Sequence, residues 1–225
     1  MQRARALPIV AGILVGVLLA LAPVSAGAAS DEQQLVDAVK ETFDSFVNDP
    51  TMGSFDDLLK DSQGILIFPR VYRAGFIFGL EGGSGVLVAR DPKKGWSDPA
   101  FYTLGAGSFG LQVGIDVAEV VMLVRTQTGM DNLLGSSFKL GIDVQAALGV
   151  GKGGKLKTAD ILAYARAKGA YIGFTVDGAV VSTRDSYNVA YYDKPDVRPI
   201  DILVQRTVRN KGADQLVNTV TNAAK

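Results

Sequence analysis

The sequence predicts an α+β fold that is mainly β, in which short strands form an antiparallel barrel or sandwich with about three helices packed on its surface. Two observations carry this prediction. Between residues 64 and 184, apolar residues recur at every second position in several runs, which is the period of a strand with one buried face. On both sides of that region the period changes to about 3.6, which indicates helices.

The first 28 residues form a segment of their own. Arg3 and Arg5 precede an apolar run from Leu7 to Leu21, and small residues surround Ala28, which is the three-part pattern of a secretory signal peptide. The run is short for a bilayer span of roughly 20 residues. We therefore expect cleavage near Ala28, export to the periplasm, and a single domain over residues 29–225. A signal segment retained as a membrane anchor stays open as the alternative.

Missing residue types narrow the function. The chain has no histidine and no cysteine, which excludes Ser-His-Asp and Cys-His catalytic arrangements, the common zinc ligands and a lipid-modified N-terminal cysteine. The chain has 23 basic and 23 acidic residues; residues 1–28 hold two of the arginines and no acid, so 21 basic residues remain against 23 acidic ones, a net charge of −2. This balance gives no general attraction to nucleic acid. We expect a protein that is not an enzyme and has no cofactor, metal site, nucleotide or nucleic-acid partner.

Helices are predicted at both ends of the mature chain. Residues 31–47 carry an apolar stripe at helical spacing, with Ser30 as the N-cap and Pro50 just beyond the end. The polar side of this helix is acidic, so we expect it to pack on the sheet rather than on an anionic membrane. Ser54 precedes a second, short helix, and residues 212–225 predict a third.

The strands are predicted in order along the chain. The first four runs are "GILIFPRV", "AGFIFGL", "SGVLVAR" and "AFYTLG", separated by Gly, Pro and Asp-Pro-Lys-Lys-Gly turns. The clearest alternation is "SFGLQVGIDV", residues 108–117, and "SFKLGIDVQAALGVG" from residue 137 repeats it. Between these two runs, residues 120–125 predict a strand and residues 130–134 a helical turn. Residues 167–184 predict a hairpin that turns at Val176-Asp177-Gly178.

The order of several motifs resembles the SYLF domain family, which is known also for yeast actin-binding and plant lipid-binding members. The resemblance rests on "SQGILIFPRVYRAGFIFGLEGGSGVLVAR", "GWSDPAFYTLGAGSFGLQVGIDV", "FKLGIDVQAALGVGKG" and "AYARAKGAYIGFTVDGAVVSTRDSYNVAYY". The most specific parts are Trp96-Ser97-x-Pro99-Ala100 and the glycine series from Gly105 to Gly114. With the flanking helices, the likeness covers nearly all of the mature chain.

The resemblance implies a compact antiparallel β-barrel core with helices on its surface and a role in binding anionic phospholipid head groups. In eukaryotic relatives it implies phosphoinositide ligands and, for some members, actin binding. In bacterial relatives it implies exported envelope proteins, for which actin is not an expected partner. One departure is that the family usually shows Gly-Pro-x-Gly-Arg/Lys where this chain has residues 149–153, "GVGKG". Loss of the proline leaves that loop less rigid.

Two glycine-rich stretches invite a nucleotide-site interpretation. Gly149, Gly154 and Lys155 match the spacing of a phosphate-binding P-loop, but Leu156 stands where the motif needs Ser or Thr. The preceding run also alternates, whereas a P-loop follows a strand that is buried on both faces. We therefore interpret the match as coincidence. The second stretch, "GLEGGSG" at residues 79–85, predicts a tight turn or bulge.

Basic side chains in or beside predicted turns are the candidate contacts to lipid phosphate. We expect weak, salt-sensitive binding if these clusters meet on one surface; the sequence does not show whether they meet, and it leaves the oligomeric state open. Alternatives are an envelope protein that acts through protein–protein contacts and, less favoured, a small His-free hydrolase. The candidate residues are Arg70, Arg73, Lys93, Lys94, Lys152, Lys155 and Lys157.

Overall fold

Helices and a single large sheet make up the part of the chain that the computed structural model describes, residues 29–52, 55–75, 78–109, 114–141, 144–146, 159–167, 170–171 and 178–225. The α-helices are α1 (Asp31–Val47), α2 (Phe55–Lys60), α3 (Gln127–Leu134), α4 (Asp185–Tyr192) and α5 (Asp214–Ala223). Short 3-10 turns at Pro50–Met52 and Lys211–Ala213 and a π-helical turn at Asp201–Gln205 complete the helical part. The strands are β1 (Gly64–Gly75), β2 (Phe78–Asp91), β3 (Gly95–Trp96), β4 (Ala100–Phe109), β5 (Gly114–Val124), β6 (Ser137–Lys139), β7 (Val144–Ala146), β8 (Ile161–Ala167), β9 (Ala170–Tyr171) and β10 (Val180–Thr183).

The strands pair in the order β6-β10-β4-β2-β1-β5-β8-β7, with β3 attached to β2 and β9 to β8. The described pairs are antiparallel except for β7 and β8, which run parallel. Within the described ranges β6 and β7, at the two ends of this order, do not pair with each other, so the described sheet is not closed into a barrel. The predicted class is confirmed: a mainly β, antiparallel core with helices packed on it.

Helix α1 forms as predicted. Ser30 has an extended backbone, and its hydroxyl accepts a hydrogen bond from the Gln33 amide, which is an N-cap. Asp31 and Glu32 lie in the first turn, where carboxylates complement the helix dipole. The apolar stripe, including Phe43 and Phe46, is buried against the sheet and the other helices. Among the described residues no helix is long and apolar enough to span a bilayer.

Two runs predicted as continuous strands are divided between distant strands. Residues 108–117 supply the end of β4 and the start of β5, which lie on opposite sides of the β2–β1 pair. Residues 137–146 supply β6 and β7, at opposite ends of the strand order. These two predictions were wrong because alternation identifies extended backbone but does not show where the chain leaves one strand for another.

The glycine-rich stretch around residues 79–85 belongs to β2 and faces a bulge in β1. The register of β1 against both neighbours shifts between residues 67 and 71. A methyl group at Gly85 would collide with the Ile67 carbonyl oxygen, and one at Gly83 with the Arg70 carbonyl oxygen. The glycines at 79–85 therefore form neither the tight turn nor the bulge predicted for them: they lie within β2, and the bulge is in the neighbouring strand β1. The run "AGFIFGL" is not a separate strand, because it joins the end of β1 to the start of β2.

The predicted hairpin at residues 167–184 is described only at its ends. Residues 170–171 pair with β8, whereas residues 180–183 pair with β4 and β6; the turn at 176–177 lies outside the described residues. Helix α3 contains the predicted helical turn, and α2 and α5 form as predicted. Helix α4 and the π-helical turn were not predicted. Their apolar residues are too few and too irregularly spaced to give a helical period.

The sheet has a helix face and an opposite face, and each is covered by a hydrophobic cluster at the β1 N-terminal end. The helix face packs against α1, α2 and α5. The opposite face packs against α3 and the segment 197–203. We call this doubly buried part the covered half. It contains, on the helix face, Ile67, Val86, Phe101, Val121 and Tyr164, and on the opposite face, Phe68, Leu87, Tyr102, Met122 and Ala165.

Candidate functional site on the open half of the sheet

Beyond the covered half, a row of described residues on the helix face of the sheet is exposed. Tyr72 and Val117 lie directly opposite each other on β1 and β5, with 52% and 39% of their surface exposed. The row continues across the sheet through Gly82 and Gly105 to Val180, which is 38% exposed. Because Gly82 and Gly105 have no side chains, only backbone separates the Tyr72–Val117 pair from Val180 along this row. We call this row, with its neighbours on the helix face, the open half.

Between this apolar row and the covered half runs a polar row. Ser137, Ser182, Thr103 and Ser84 occupy consecutive register positions on β6, β10, β4 and β2, and Arg70 follows on β1. Each strand alternates between faces, so these side chains share the helix face with the apolar row. The open half therefore presents hydroxyl groups and positive charge beside exposed apolar side chains.

Two arginines, Arg70 and Arg184, lie beside Ser84 in this polar row. Arg70 is exposed and has no hydrogen-bond or ion-pair partner within the described part of the chain. The Arg184 side chain lies over the Tyr187 ring, with its guanidinium carbon 3.3 Å from the ring centroid, and its Nη1 donates a hydrogen bond to the Ser84 hydroxyl. Arg70 is the cross-strand neighbour of Ser84. The sequence singled out Arg70 but missed Arg184, which follows the last strand and resembles ordinary surface charge.

Arg73, the second predicted lipid contact, is engaged within the protein. Its Nη2 donates to Asp116 Oδ2 at 3.0 Å, and only 16% of its side chain is exposed. Glu81 flanks Arg73 on β2, on the opposite face of the sheet from Tyr72. Burial raises the pKa of Glu81, and the Arg73 charge acts in the other direction. Arg73 is thus part of a charged row on the opposite face and does not lie on the same surface as Arg70.

The other predicted cations lie elsewhere. Lys93 and Lys94 are exposed in the β2–β3 turn, where their amides bond to the Asp91 carboxylate and lower the pKa of Asp91. Ten residues of β2 separate Asp91 from the Arg73 position, about 30 Å along a strand. Lys152, Lys155 and Lys157, with the P-loop-like glycines, lie outside the described residues. The predicted basic residues that the structure describes, Arg70, Arg73, Lys93 and Lys94, therefore do not lie together on one surface.

The Trp96-Ser97-x-Pro99-Ala100 motif anchors the C-terminal part of the chain. The Ser97 hydroxyl accepts from the Ala89 amide, and the Tyr192 hydroxyl donates to the Pro99 carbonyl at 2.7 Å. Asp98 accepts from the Asn210 amide at 2.7 Å; burial raises the pKa of Asp98, partly offset by this hydrogen bond. The Trp96-Ser97-x-Pro99-Ala100 motif therefore has a structural role and lies outside the open half.

A second polar cluster joins α1 to the sheet. Arg166 donates to Glu119 at 2.7 and 2.8 Å and lies 4.5 Å from the Phe46 ring centroid. It also reaches Asp49, beside a cavity of about 200 Å³ at the end of α1. Both carboxylates of this cluster, Asp49 and Glu119, are paired with Arg166. Across the described ranges, no group of three or more acidic side chains is placed to hold a metal ion.

Comparisons with known proteins agree on one family. A family model described as Ysc84, Las17-binding protein actin regulator, matches residues 105–223, just over half of the chain. LAS seventeen-binding protein 3 of Saccharomyces cerevisiae is 30% identical over 148 residues, 60% of this chain and 31% of the relative. SH3 domain-containing YSC84-like protein 1 is 27% identical in human over 166 residues (71% and 48%) and 25% identical in Xenopus laevis over 202 residues (86% and 60%).

The chain spans between about a third and three fifths of the length of these relatives. Their names describe binding and regulatory proteins rather than enzymes. The match over more than half of the chain confirms the resemblance drawn from the motifs. This chain belongs to the Ysc84 (SYLF domain) family.

Proposed function

We propose that this protein is a non-catalytic binding protein of the cell envelope that attaches weakly and reversibly to anionic phospholipid surfaces through the open half of its sheet. The observation that carries the proposal is the exposed Tyr72–Val117 pair beside Arg70, which has no ion-pair partner among the described residues. A membrane interface favours this combination, because an amphipathic ring lies at head-group depth and a cation is attracted to anionic lipid. Export is supported by the N-terminal signal pattern.

The charges of the open half agree with this partner. Arg70, Lys139 and Arg184 are positive, while Glu119 at its border is compensated by Arg166. A cation near an anionic bilayer contributes on the order of 1 kcal/mol. Three such residues give binding that is weak and is lost when salt screens the attraction.

Co-sedimentation with vesicles tests the proposal. We expect the purified chain over residues 29–225 to bind vesicles of phosphatidylcholine with 30 mol% phosphatidylglycerol (about that fraction gives a strongly anionic surface) at low salt. Binding should fall at high salt and be absent with phosphatidylcholine alone. The vesicles of phosphatidylcholine alone are the control for non-specific adhesion. Equal binding to neutral and anionic vesicles, or none to either, contradicts the proposal.

Variants separate the predicted cations. Arg70→Gln should weaken binding about fivefold, the effect of roughly 1 kcal/mol. Lys93→Gln with Lys94→Gln should have less effect, because that turn lies far from Arg70 along β2. The triple change of Lys152, Lys155 and Lys157 to Ala tests the loop outside the described residues. Unchanged affinity would remove that loop from the site.

The relatives' names favour a second candidate, a protein partner. The family description names Las17 binding and actin regulation, and an exposed sheet face can also accept a protein. Pull-down with the purified chain and its Tyr72→Ala variant tests this alternative. A partner that is lost in the variant while vesicle binding is absent in the unchanged protein would favour it over lipid binding.

A further inference from the structure

We propose that Arg70, Ser84 and Arg184 form a binding site for a tetrahedral oxyanion of the phosphomonoester class. The ligand is either the terminal phosphate of a lipid head group or a soluble phosphate. Binding of a lipid head group at this site rests on the proposed function. Binding of a soluble phosphate does not depend on it.

Arg184 is held in place before any ligand arrives. Its guanidinium stacks on Tyr187, and the Tyr187 ring in turn makes an edge contact with Phe101, with 5.8 Å between ring centroids. The Arg184 amide donates to the Phe101 carbonyl at 2.8 Å, which fixes the backbone at the start of α4. A guanidinium held in this way loses little side-chain entropy when it binds an anion.

Donors remain available on both arginines. Arg184 uses one N–H on the Ser84 hydroxyl, and within the described part of the chain no acceptor bonds to its other N–H groups. Arg70 occupies the register position opposite Ser84, one strand spacing away, about 4.8 Å. Two guanidinium groups on either side of a hydroxyl can offer a phosphate paired, charge-assisted hydrogen bonds.

The surroundings favour an anion over a cation. Thr103 and Ser182 continue the polar row beside Ser84. The Ser182 hydroxyl adds a donor, whereas the Thr103 hydroxyl donates to the Ser182 carbonyl. The nearby carboxylate of Glu119 is bound by Arg166. Asp185 follows Arg184 in the chain and makes no ion pair with it among the described residues. The two arginines therefore have no ion-pair partner among the residues that the structure describes.

A monoester suits this geometry better than a diester. Its terminal phosphate carries three non-bridging oxygens and a charge approaching −2 near neutral pH, whereas a phosphodiester has two such oxygens and one charge. A phosphomonoester can satisfy two guanidinium groups, because each guanidinium binds two oxygens and one of the three oxygens can be shared between them. The site therefore distinguishes phosphatidic acid from phosphatidylglycerol at equal surface charge.

Titration with inorganic phosphate tests the soluble arm. We expect shifts in the arginine side-chain N–H resonances of the purified chain, residues 29–225, with a dissociation constant in about the millimolar range. Arg70→Gln should raise that constant at least about fivefold and Arg184→Gln by more. Arg184→Lys, which keeps the charge but loses the fork, should restore only part of the affinity. Arg198→Gln, an exposed arginine on another surface, is the charge-matched control.

Vesicles of phosphatidic acid or phosphatidylglycerol, matched in zeta potential, test the lipid arm. Stronger binding to phosphatidic acid that is lost in Arg70→Gln and Arg184→Gln supports the site on a membrane. Phosphate binding without vesicle binding supports the site and overturns the proposed function. Equal binding to both lipids, with no phosphate-induced shifts, overturns the site and leaves the proposed function standing.

Folding must be separated from binding in one variant. Arg184→Gln removes the Tyr187 stacking contact and can lower stability, so its circular dichroism and melting temperature are measured first. Arg70 is exposed and makes no hydrogen bond or ion pair within the described residues, so we expect Arg70→Gln to keep the fold, and the same two measurements check this. Loss of phosphate binding in Arg184→Gln alone, with Arg70→Gln unchanged, would contradict the two-arginine site.

Discussion

The covered half and the open half are built from the same strands but differ in what lies on them. In β1, residues 65–68 are fully buried on both faces, whereas Arg70 and Tyr72 on the same strand are exposed on the helix face. The bulge between residues 67 and 71 separates the two parts. The open half is therefore packed on its opposite face only, through residues such as Val71 and Leu104, whereas the covered half is packed on both faces. Substitutions on the helix face should separate stability from binding along one strand.

The largest difference is expected between a core aromatic residue and an exposed one. Phe43→Ala should lower the free energy of unfolding by about 3–5 kcal/mol, because α1 would lose a fully buried ring and leave a cavity against the sheet. Tyr72→Ala is the matched change in the open half and should cost no more than about 0.5 kcal/mol. Urea denaturation measures both. Similar costs would show that the two halves are not energetically distinct.

Paired glycine substitutions should sharpen the contrast at the bulge. Gly85→Ala should destabilise by about 1–3 kcal/mol, because the added methyl collides with the backbone of β1 at Ile67. Gly107→Ala places the same methyl in open space on β4 and should be close to neutral. Thermal unfolding of the two variants decides between them. A neutral Gly85→Ala would mean that the bulge relaxes at little cost.

The border between the halves is held by the Arg166 cluster. Arg166→Leu should cost about 2 kcal/mol, since it removes both arginine hydrogen bonds to Glu119 and the one to the Ser45 hydroxyl on α1. Lys40→Leu removes an i,i+4 pair with Asp44 on the surface of α1 and should cost less than about 0.5 kcal/mol. Denaturant midpoints compare the two. Equal midpoints would show that the Arg166 cluster does not stabilise this border.

Local patterns predicted the elements and the class of the fold but not its layers. The cap at Ser30, the apolar stripe of α1 and the extended run that forms β1 depend on neighbours in sequence, and these predictions are confirmed. Strand order depends on contacts between distant residues, so residues 108–117 were interpreted as one strand although they divide between β4 and β5.

The candidate site was only partly predictable for the same reason. Val117 belongs to an apolar run and was placed on a buried face, yet it is exposed because no described helix covers that end of β5. Arg70 and Arg73 looked alike in sequence, but the bulge and alternation send them to opposite faces. Arg184 contacts Ser84, which is 100 residues away in the sequence. Short-range sequence patterns do not predict such a contact.

The smallest expected effect on stability is also the most specific for function. Tyr72→Ala combined with Val117→Ser should leave the unfolding midpoint nearly unchanged, because both side chains are exposed. The same double variant should weaken binding to anionic vesicles at least about threefold, and by the same factor at every salt concentration at which binding is measurable, since it removes apolar contact rather than charge. Val204→Ser, an equally exposed change in the Asp201–Gln205 turn, is the control for general loss of surface hydrophobicity. If both variants bind like the unchanged protein, the open half does not touch the membrane, and charge alone must account for any binding that remains.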